Sequence, residues 1–188
     1  MSKSHNFFQL PHLIESKIIF EESLVKIRRD QLQVNEQSPY FYYTLITYPF
    51  AVAILASTPE GAYILNEEYR QPTGQVLLGC PGGYIEPKED AIQAAQRELL
   101  EETGYQAKSL TLMGSAFPYA GFTGQKTIYI RAYEATFVAA PKLEASEMIR
   151  PRLLMPKEVL ALVKKGTELD GILGTALFFN QLQSSQED

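Results

Sequence analysis

The sequence predicts an α+β fold, or a sandwich with helices on both faces of a sheet. Three observations carry this: strand-like runs are numerous, helix signals are few, and the two do not alternate as strict βαβ units. At 188 residues, 45% of them hydrophobic, the chain is long enough to bury a substantial core. Residues 1–13 read as a loose lead-in. Ile18 to Arg28 is rich in β-branched and apolar residues, and Tyr40 to Tyr48 is rich in aromatics and Thr, so each reads as strand. Ala51–Ala56 and Ala62–Asn66 form a hairpin around Ser57-Thr58-Pro59-Glu60-Gly61. Further strands are expected at Gln75–Leu78, Leu110–Phe117, Lys126–Val138 and Leu153–Met155. Asp90 to Thr103 places Ile92, Ala95, Leu99 and Thr103 on one helical face, and Gly104 ends it. Two more helices are expected at Pro156–Lys164, with Pro in the first turn, and at Leu169–Leu182. The polar tail from Gln183 to Asp188 reads as frayed.

Composition narrows the chemistry. Seventeen Lys and Arg against 22 Asp and Glu give a net charge of −5, which argues against duplex nucleic acid as a partner. A single cysteine, Cys80, excludes an internal disulfide or a Cys-rich metal site. It reads as a small buried residue, because no basic neighbour in sequence activates it. The only histidines, His5 and His12, lie near the N-terminus, away from any catalytic triad pattern. No secretory signal is recognisable, and the longest apolar run, Pro49 to Ala56, is too short to span a bilayer. A soluble cytoplasmic protein without membrane contact is expected. Carboxylates remain as the chemical groups.

They concentrate on one helix. Glu98 and Glu102 are four residues apart and Glu101 is three beyond Glu98, so all three are expected close together, opposite the Ile92/Ala95/Leu99 stripe. No Lys occurs between Asp90 and Thr103 to offset their repulsion. An acidic helix face is often merely solvated. A hard divalent cation would instead turn the repulsion into attraction, since Mg²⁺ favours carboxylate oxygens.

The segment Gly83 to Tyr105 resembles the Nudix box, the signature of the Nudix hydrolase family. Gly83, Glu89, Arg97, Glu98, Leu99, Glu101, Glu102 and Gly104 match its fixed positions, and Tyr105 replaces the final aliphatic. The resemblance implies an α/β/α sandwich with a mixed central sheet, and cleavage of a nucleoside diphosphate linked to another moiety. It implies Mg²⁺, or Mn²⁺, held by Glu98 and Glu102 with Glu101 assisting and the Gly82 carbonyl as a backbone ligand. Arg97 would orient these carboxylates and pair with Glu89, while Gly83 would let the loop pass close to the cations.

The flanks are similar to the ADP-ribose pyrophosphatase and nucleotide-sugar branch of that family. Glu15-Ser16-Lys17 through Arg28-Arg29-Asp30 is similar to its N-terminal strand pair, which implies a dimerisation element over 1–45 preceding a Nudix domain over 46–188. In a homodimer this pair, Arg28 included, would help build the partner's adenosine pocket. Glu68-Tyr69-Arg70-Gln71-Pro72 matches a segment whose Arg contacts substrate, which makes Arg70 a candidate for the diphosphate or the adenine face. Its alternative is a strand-end salt bridge. Tyr119-Ala120-Gly121-Phe122-Thr123 stands where the branch carries a Ser-Pro-Gly-Phe-Ser motif, which makes Phe122 a substrate-binding candidate. Ala120, the Gly124-Gln125 pair and Gly79 depart from the branch pattern. The general base would come from Lys142–Ile149, either Glu147 or Glu144. Tyr40-Phe41-Tyr42-Tyr43 would be core, dimer interface or a stacking surface. The expected substrate is ADP-ribose or a related nucleoside diphosphate sugar. The alternatives are dinucleoside polyphosphates, dinucleotide cofactors, or a non-catalytic module that binds a nucleotide.

Overall fold

The computed structural model describes residues 9–23 and 25–185. His5, most of the lead-in and residues 186–188 of the tail therefore lie outside the described residues. The strands are β1 (His12–Glu22), β2 (Val25–Gln33), β3 (Tyr40–Ile46), β4 (Phe50–Ser57), β5 (Tyr63–Arg70) and β6 (Gln75–Gly79). After helix α1 (Ala91–Thr103) come β7 (Tyr105–Gln106), β8 (Ser109–Ala116), β9 (Lys126–Tyr133), β10 (Thr136–Phe137) and β11 (Ile149–Leu154). Helices α2 (Pro156–Lys164) and α3 (Gly171–Ser184) complete the order. Two compact units result: 1–49 with 119–125, and 50–118 with 126–188.

The first unit is an antiparallel sheet in the order β1-β2-β3. The run read as one strand from Ile18 to Arg28 is two strands, because the chain turns at Ser23 with φ 50°. No Gly, Pro or Asn marks that turn, so periodicity ran straight through it. Asp30 is buried and accepts from Ser16 Oγ at 2.6 Å and from Arg28 Nε at 2.9 Å. Together these bonds hold its carboxyl below the usual range. Leu45 N–H donates to the Phe122 carbonyl at 3.0 Å and Tyr42 Oη to the Gly121 carbonyl at 2.7 Å, which ties the 119–125 loop to β3. Tyr40, Phe41, Tyr42 and Tyr43 all stay exposed in the chain, so the core reading of this patch is set aside.

In the second unit the sheet runs β11-β5-β4-β9-β8, with β6 also on β5. The β4–β9 pair is parallel and its neighbours are antiparallel, so the sheet is mixed, as expected. Alternation along β4 explains the layers. Ala53 and Leu55 enter a core with Val159 of α2 and Leu173 and Ala176 of α3. Val52, Ile54 and Ala56 enter another with Ala94, Ala95 and Leu99 of α1. One buried strand thus serves two helical layers, and an α/β/α sandwich follows.

Several boundary expectations change: β1 begins at His12, inside the expected lead-in, and β5 runs past Asn66 to Arg70. The strand read through Val138 stops at Tyr133, because Glu134 takes φ 49° and β10 turns away to pair with β7. Strand β11 begins at Ile149, four residues before the expected Leu153. Pro151 lies inside it, and β11 is a sheet edge, where a missing N–H is tolerated.

Strands β4 and β5 pair only at Ala56–Ile64 and Ser57–Tyr63, then diverge. The vacated edge of β4 is taken by the loop after β6. Ile54 N–H donates to Pro81 O and Val52 N–H to Gly83 O, each at 2.8 Å. The Gly82-Gly83 segment is thereby fixed beside α1.

Candidate active site

Helix α1 starts at Asp90, whose side chain accepts from Ile92 and Gln93 N–H while Gln93 returns a bond to Asp90 N–H. It ends at Gly104, where φ is 77° and a Cβ would lie 2.0 Å from the Ala139 carbonyl. Between these caps the expected geometry needs correction. Glu98 and Glu102 are buried with Ala94, Ala95 and Leu99, not opposite them, and Ile92 is exposed. At about 100° per residue, positions 98 and 102 fall between 94 and 99 on the wheel. The carboxylates sit inside the buried arc, where the sheet edge and the glycine loop meet them.

Arg97 organises the group. Its Nε and Nη2 donate to Glu89 at 3.0 and 2.9 Å, and its Nη1 donates to Glu98 at 2.7 Å and Glu101 at 3.1 Å. Nη2 also reaches the Tyr84 carbonyl at 3.0 Å. The guanidinium holds Glu89 below the usual carboxylate range. Gly83 packs on Glu98 so closely that a Cβ would stand 2.3 Å from Oε1. A Gly83→Ala variant is expected to fold, to displace Glu98 and to lose about 10–100-fold in turnover. Circular dichroism with steady-state kinetics checks this, and unchanged turnover would contradict it.

Glu102 is more deeply placed. Its Oε2 accepts from Gly82 N–H and from Asn66 Nδ2, both at 2.9 Å. Burial pushes its carboxyl up to about 8, against the pull of the Gly82 bond, and the Glu98, Glu68 and Glu147 charges add to the rise. Burial likewise raises Glu98 and Glu68, each with Arg pairing opposing it.

Arg70, at the end of β5, pairs with Glu68 and, at 3.2 Å, with Asp170. The strand-end salt bridge is therefore present, with part of the guanidinium still open to solvent. Asp170 is itself the N-cap of α3, accepting from Ile172 N–H at 2.9 Å. Glu147 accepts from Glu144 N–H at 2.8 Å, and its charge bears on Glu68, Glu98 and Glu102. Cys80 is half-buried, and burial pushes its thiol up, with Asp170 and Glu102 adding to it. Arg28 and Phe122 belong to the first unit, where Arg28 pairs with Asp30 at 2.8 Å and Phe122 is exposed.

Three participants escaped the sequence reading. Asn66 and Glu68 alternate with Arg70 on β5, and period-2 reasoning would have found them had that strand been read past Asn66. Asp170 carried no signal, being one hundred residues from its partner.

Among the described residues no three acidic side chains converge as a ready-made cation cage. The donor set nevertheless fits a hard divalent ion. It is all oxygen, and burial, with neighbouring carboxylate charges adding to it, raises Glu102 and Glu98, a cost that a bound cation would relieve. Glu98, Glu102, Glu101 and the Gly82 carbonyl are the groups that would hold it.

A mixed sheet between helical layers thus holds a glutamate-lined helix clamped by one arginine against a glycine loop. The NUDIX domain profile matches residues 47–171, and the chain belongs to the Nudix family as a pyrophosphohydrolase. It is 30% identical over 142 residues to an ADP-ribose pyrophosphatase of Bacillus subtilis (strain 168), covering 75% of this chain and 77% of that one. It is 28% identical to a methanol dehydrogenase activator of Bacillus methanolicus, over 92% and 93% of the two chains. A solved ADP compounds hydrolase superposes with TM-score 0.82 at 21% identity, covering 95% of this chain and 96% of that one.

Proposed function

We propose that the protein hydrolyses the pyrophosphate bond of ADP-ribose or a related nucleoside diphosphate sugar, releasing a nucleoside monophosphate and a sugar phosphate. The observation that carries this is the burial of Glu98 and Glu102 side by side against the Gly82-Gly83 loop, within a chain matched to an ADP-ribose pyrophosphatase over 75% of its length. A divalent cation, Mg²⁺ or Mn²⁺, when bound supplies charge neutralisation at the diphosphate and acidifies a water.

The chain's own groups do the rest. Glu147 is favoured over Glu144 as general base, because its charge reaches Glu68, Glu98 and Glu102. It takes the proton of the attacking water as the new P–O bond forms and the bridging P–O bond breaks. Arg70 exchanges part of its pairing with Glu68 and Asp170 for the diphosphate oxygens. Arg28 and Phe122, from the first unit, serve substrate binding in a homodimer built on the 1–45 extension, in a cytoplasmic protein.

Purified protein assayed with Mg²⁺ or Mn²⁺ against ADP-ribose, UDP-glucose, GDP-mannose, NADH, FAD and diadenosine polyphosphates tests the reading. Preference for ADP-ribose or a nucleotide sugar, abolished by EDTA, is expected. Preference for a dinucleotide or polyphosphate would replace it, and no turnover on any of these would favour a binding module. Deleting residues 1–45 is expected to lower the mass measured by light scattering to that of a monomer. A full-length monomer would remove the shared pocket.

A further inference from the structure

We propose that Asn66 is a positioning residue for Glu102, holding that carboxylate by one oxygen so that the other is presented to the divalent cation. This rests on the reading of Glu102 as a metal ligand.

Asn66 follows Ile64 and Leu65 on β5 and is only 1% exposed, a place where an apolar side chain would be the stable choice. Burying an amide is costly unless all its polar atoms are partnered. Here they are not. The Nδ2 atom donates to Glu102 Oε2 at 2.9 Å, whereas Oδ1 has no hydrogen-bond partner among the described residues. An aliphatic residue would avoid that orphaned oxygen, so stability alone does not account for Asn at this position. The amide's one bond does.

That bond is well built. The Asn66 backbone lies in register with Gly79 of β6 on one side and Pro151 of β11 on the other, so the donor stands on a strand flanked by two others. Gly82 N–H meets the same oxygen at 2.9 Å from the loop that fills the vacated edge of β4. Two donors from two separate elements converge on Oε2. They fix the rotation of the carboxylate and occupy one oxygen, which leaves Oε1 as the ligating atom. Asn66 thereby links the β5 platform to the cation site without needing to touch the cation.

The test measures Mn²⁺ binding to substrate-free protein by electron paramagnetic resonance, for wild type, Asn66→Leu, Glu102→Gln and the double variant. Asn66→Leu keeps the branched shape, with somewhat greater volume, and removes the donor. It is expected to weaken Mn²⁺ binding about 10–100-fold, while thermal stability in EDTA stays equal or rises. In the Glu102→Gln background the same change is expected to have no further effect on Mn²⁺ affinity, since the bond it removes acts only through Glu102. Wild-type affinity in Asn66→Leu would overturn the proposal, as would a loss that adds in full to that of Glu102→Gln. Asn66→Ser, too short to reach Glu102, provides the same readout if the leucine variant does not fold. If Glu102→Gln binds Mn²⁺ like wild type, the ligand role of Glu102 fails first, and the proposal with it.

Discussion

Replacing Glu102 by Gln is expected to lower pyrophosphate hydrolysis by about 10³-fold or more, roughly 4 kcal/mol of transition-state stabilisation. The same change is expected to make the metal-free protein more stable at pH 8. Both effects follow from one buried carboxyl. Its ordinary value near 4.5 is pushed up to about 8 in the folded chain, chiefly by burial. Between those values the folded state binds the proton that the unfolded state has lost. Metal-free stability is therefore highest at low pH and falls as pH rises through that window. The raised Glu98 and Glu68 carboxyls act in the same direction. Thermal unfolding in EDTA from pH 5 to 8.5 should show a falling Tm for wild type and a flatter profile for Glu102→Gln. Mn²⁺ should restore Tm more at pH 8.5 than at pH 5, because the proposed carboxylate ligands bind a cation only when deprotonated. A wild-type Tm that rises over this range, or full turnover in Glu102→Gln, would contradict the assignment.

Removing Arg97 is expected to give the largest loss of stability among the site residues. Its guanidinium joins Glu89, Glu98, Glu101 and the Tyr84 carbonyl, so Arg97→Ala leaves the buried Glu98 and the half-buried Glu89 without their cation. The group is partly open to solvent, which reduces the penalty of a fully buried pair to about 2–4 kcal/mol. Arg97→Lys keeps the charge but cannot reproduce the forked contacts to Glu89 and Glu98, and should fall between. Urea denaturation in EDTA checks both. A shift under about 0.5 kcal/mol for Arg97→Ala would show that the network is solvent-screened. Added Mn²⁺ should recover more stability in Arg97→Ala than in wild type, because the freed Glu98 has gained an unmet need for positive charge.

Helix α1 was legible at both ends from Asp90 and Gly104, because capping is local chemistry. Its buried face was misread. The apolar stripe drew attention to Ile92, whereas the buried arc runs through Glu98 and Glu102. Hydrophobic pattern cannot identify a face whose centre is charged. The turn at Ser23 and the start of β11 before Pro151 failed for related reasons. One lacked a turn residue, and the other carried a breaker that only an edge strand accommodates.

An α+β sandwich and a carboxylate centre were determined by the sequence itself, because capping, alternation and the Glu spacing are short-range properties of the chain. Tertiary structure decided what surrounds those carboxylates. The divergence of β4 and β5 opens an edge for the glycine loop, and that loop brings Gly82 N–H and Gly83 against Glu102 and Glu98. Asn66 on Glu102 and Asp170 on Arg70 are contacts across 36 and 100 residues. No local signal encodes such distances. They arise only when strands and helices are packed, and with them come the burial and charge crowding that raise the Glu98 and Glu102 carboxyls.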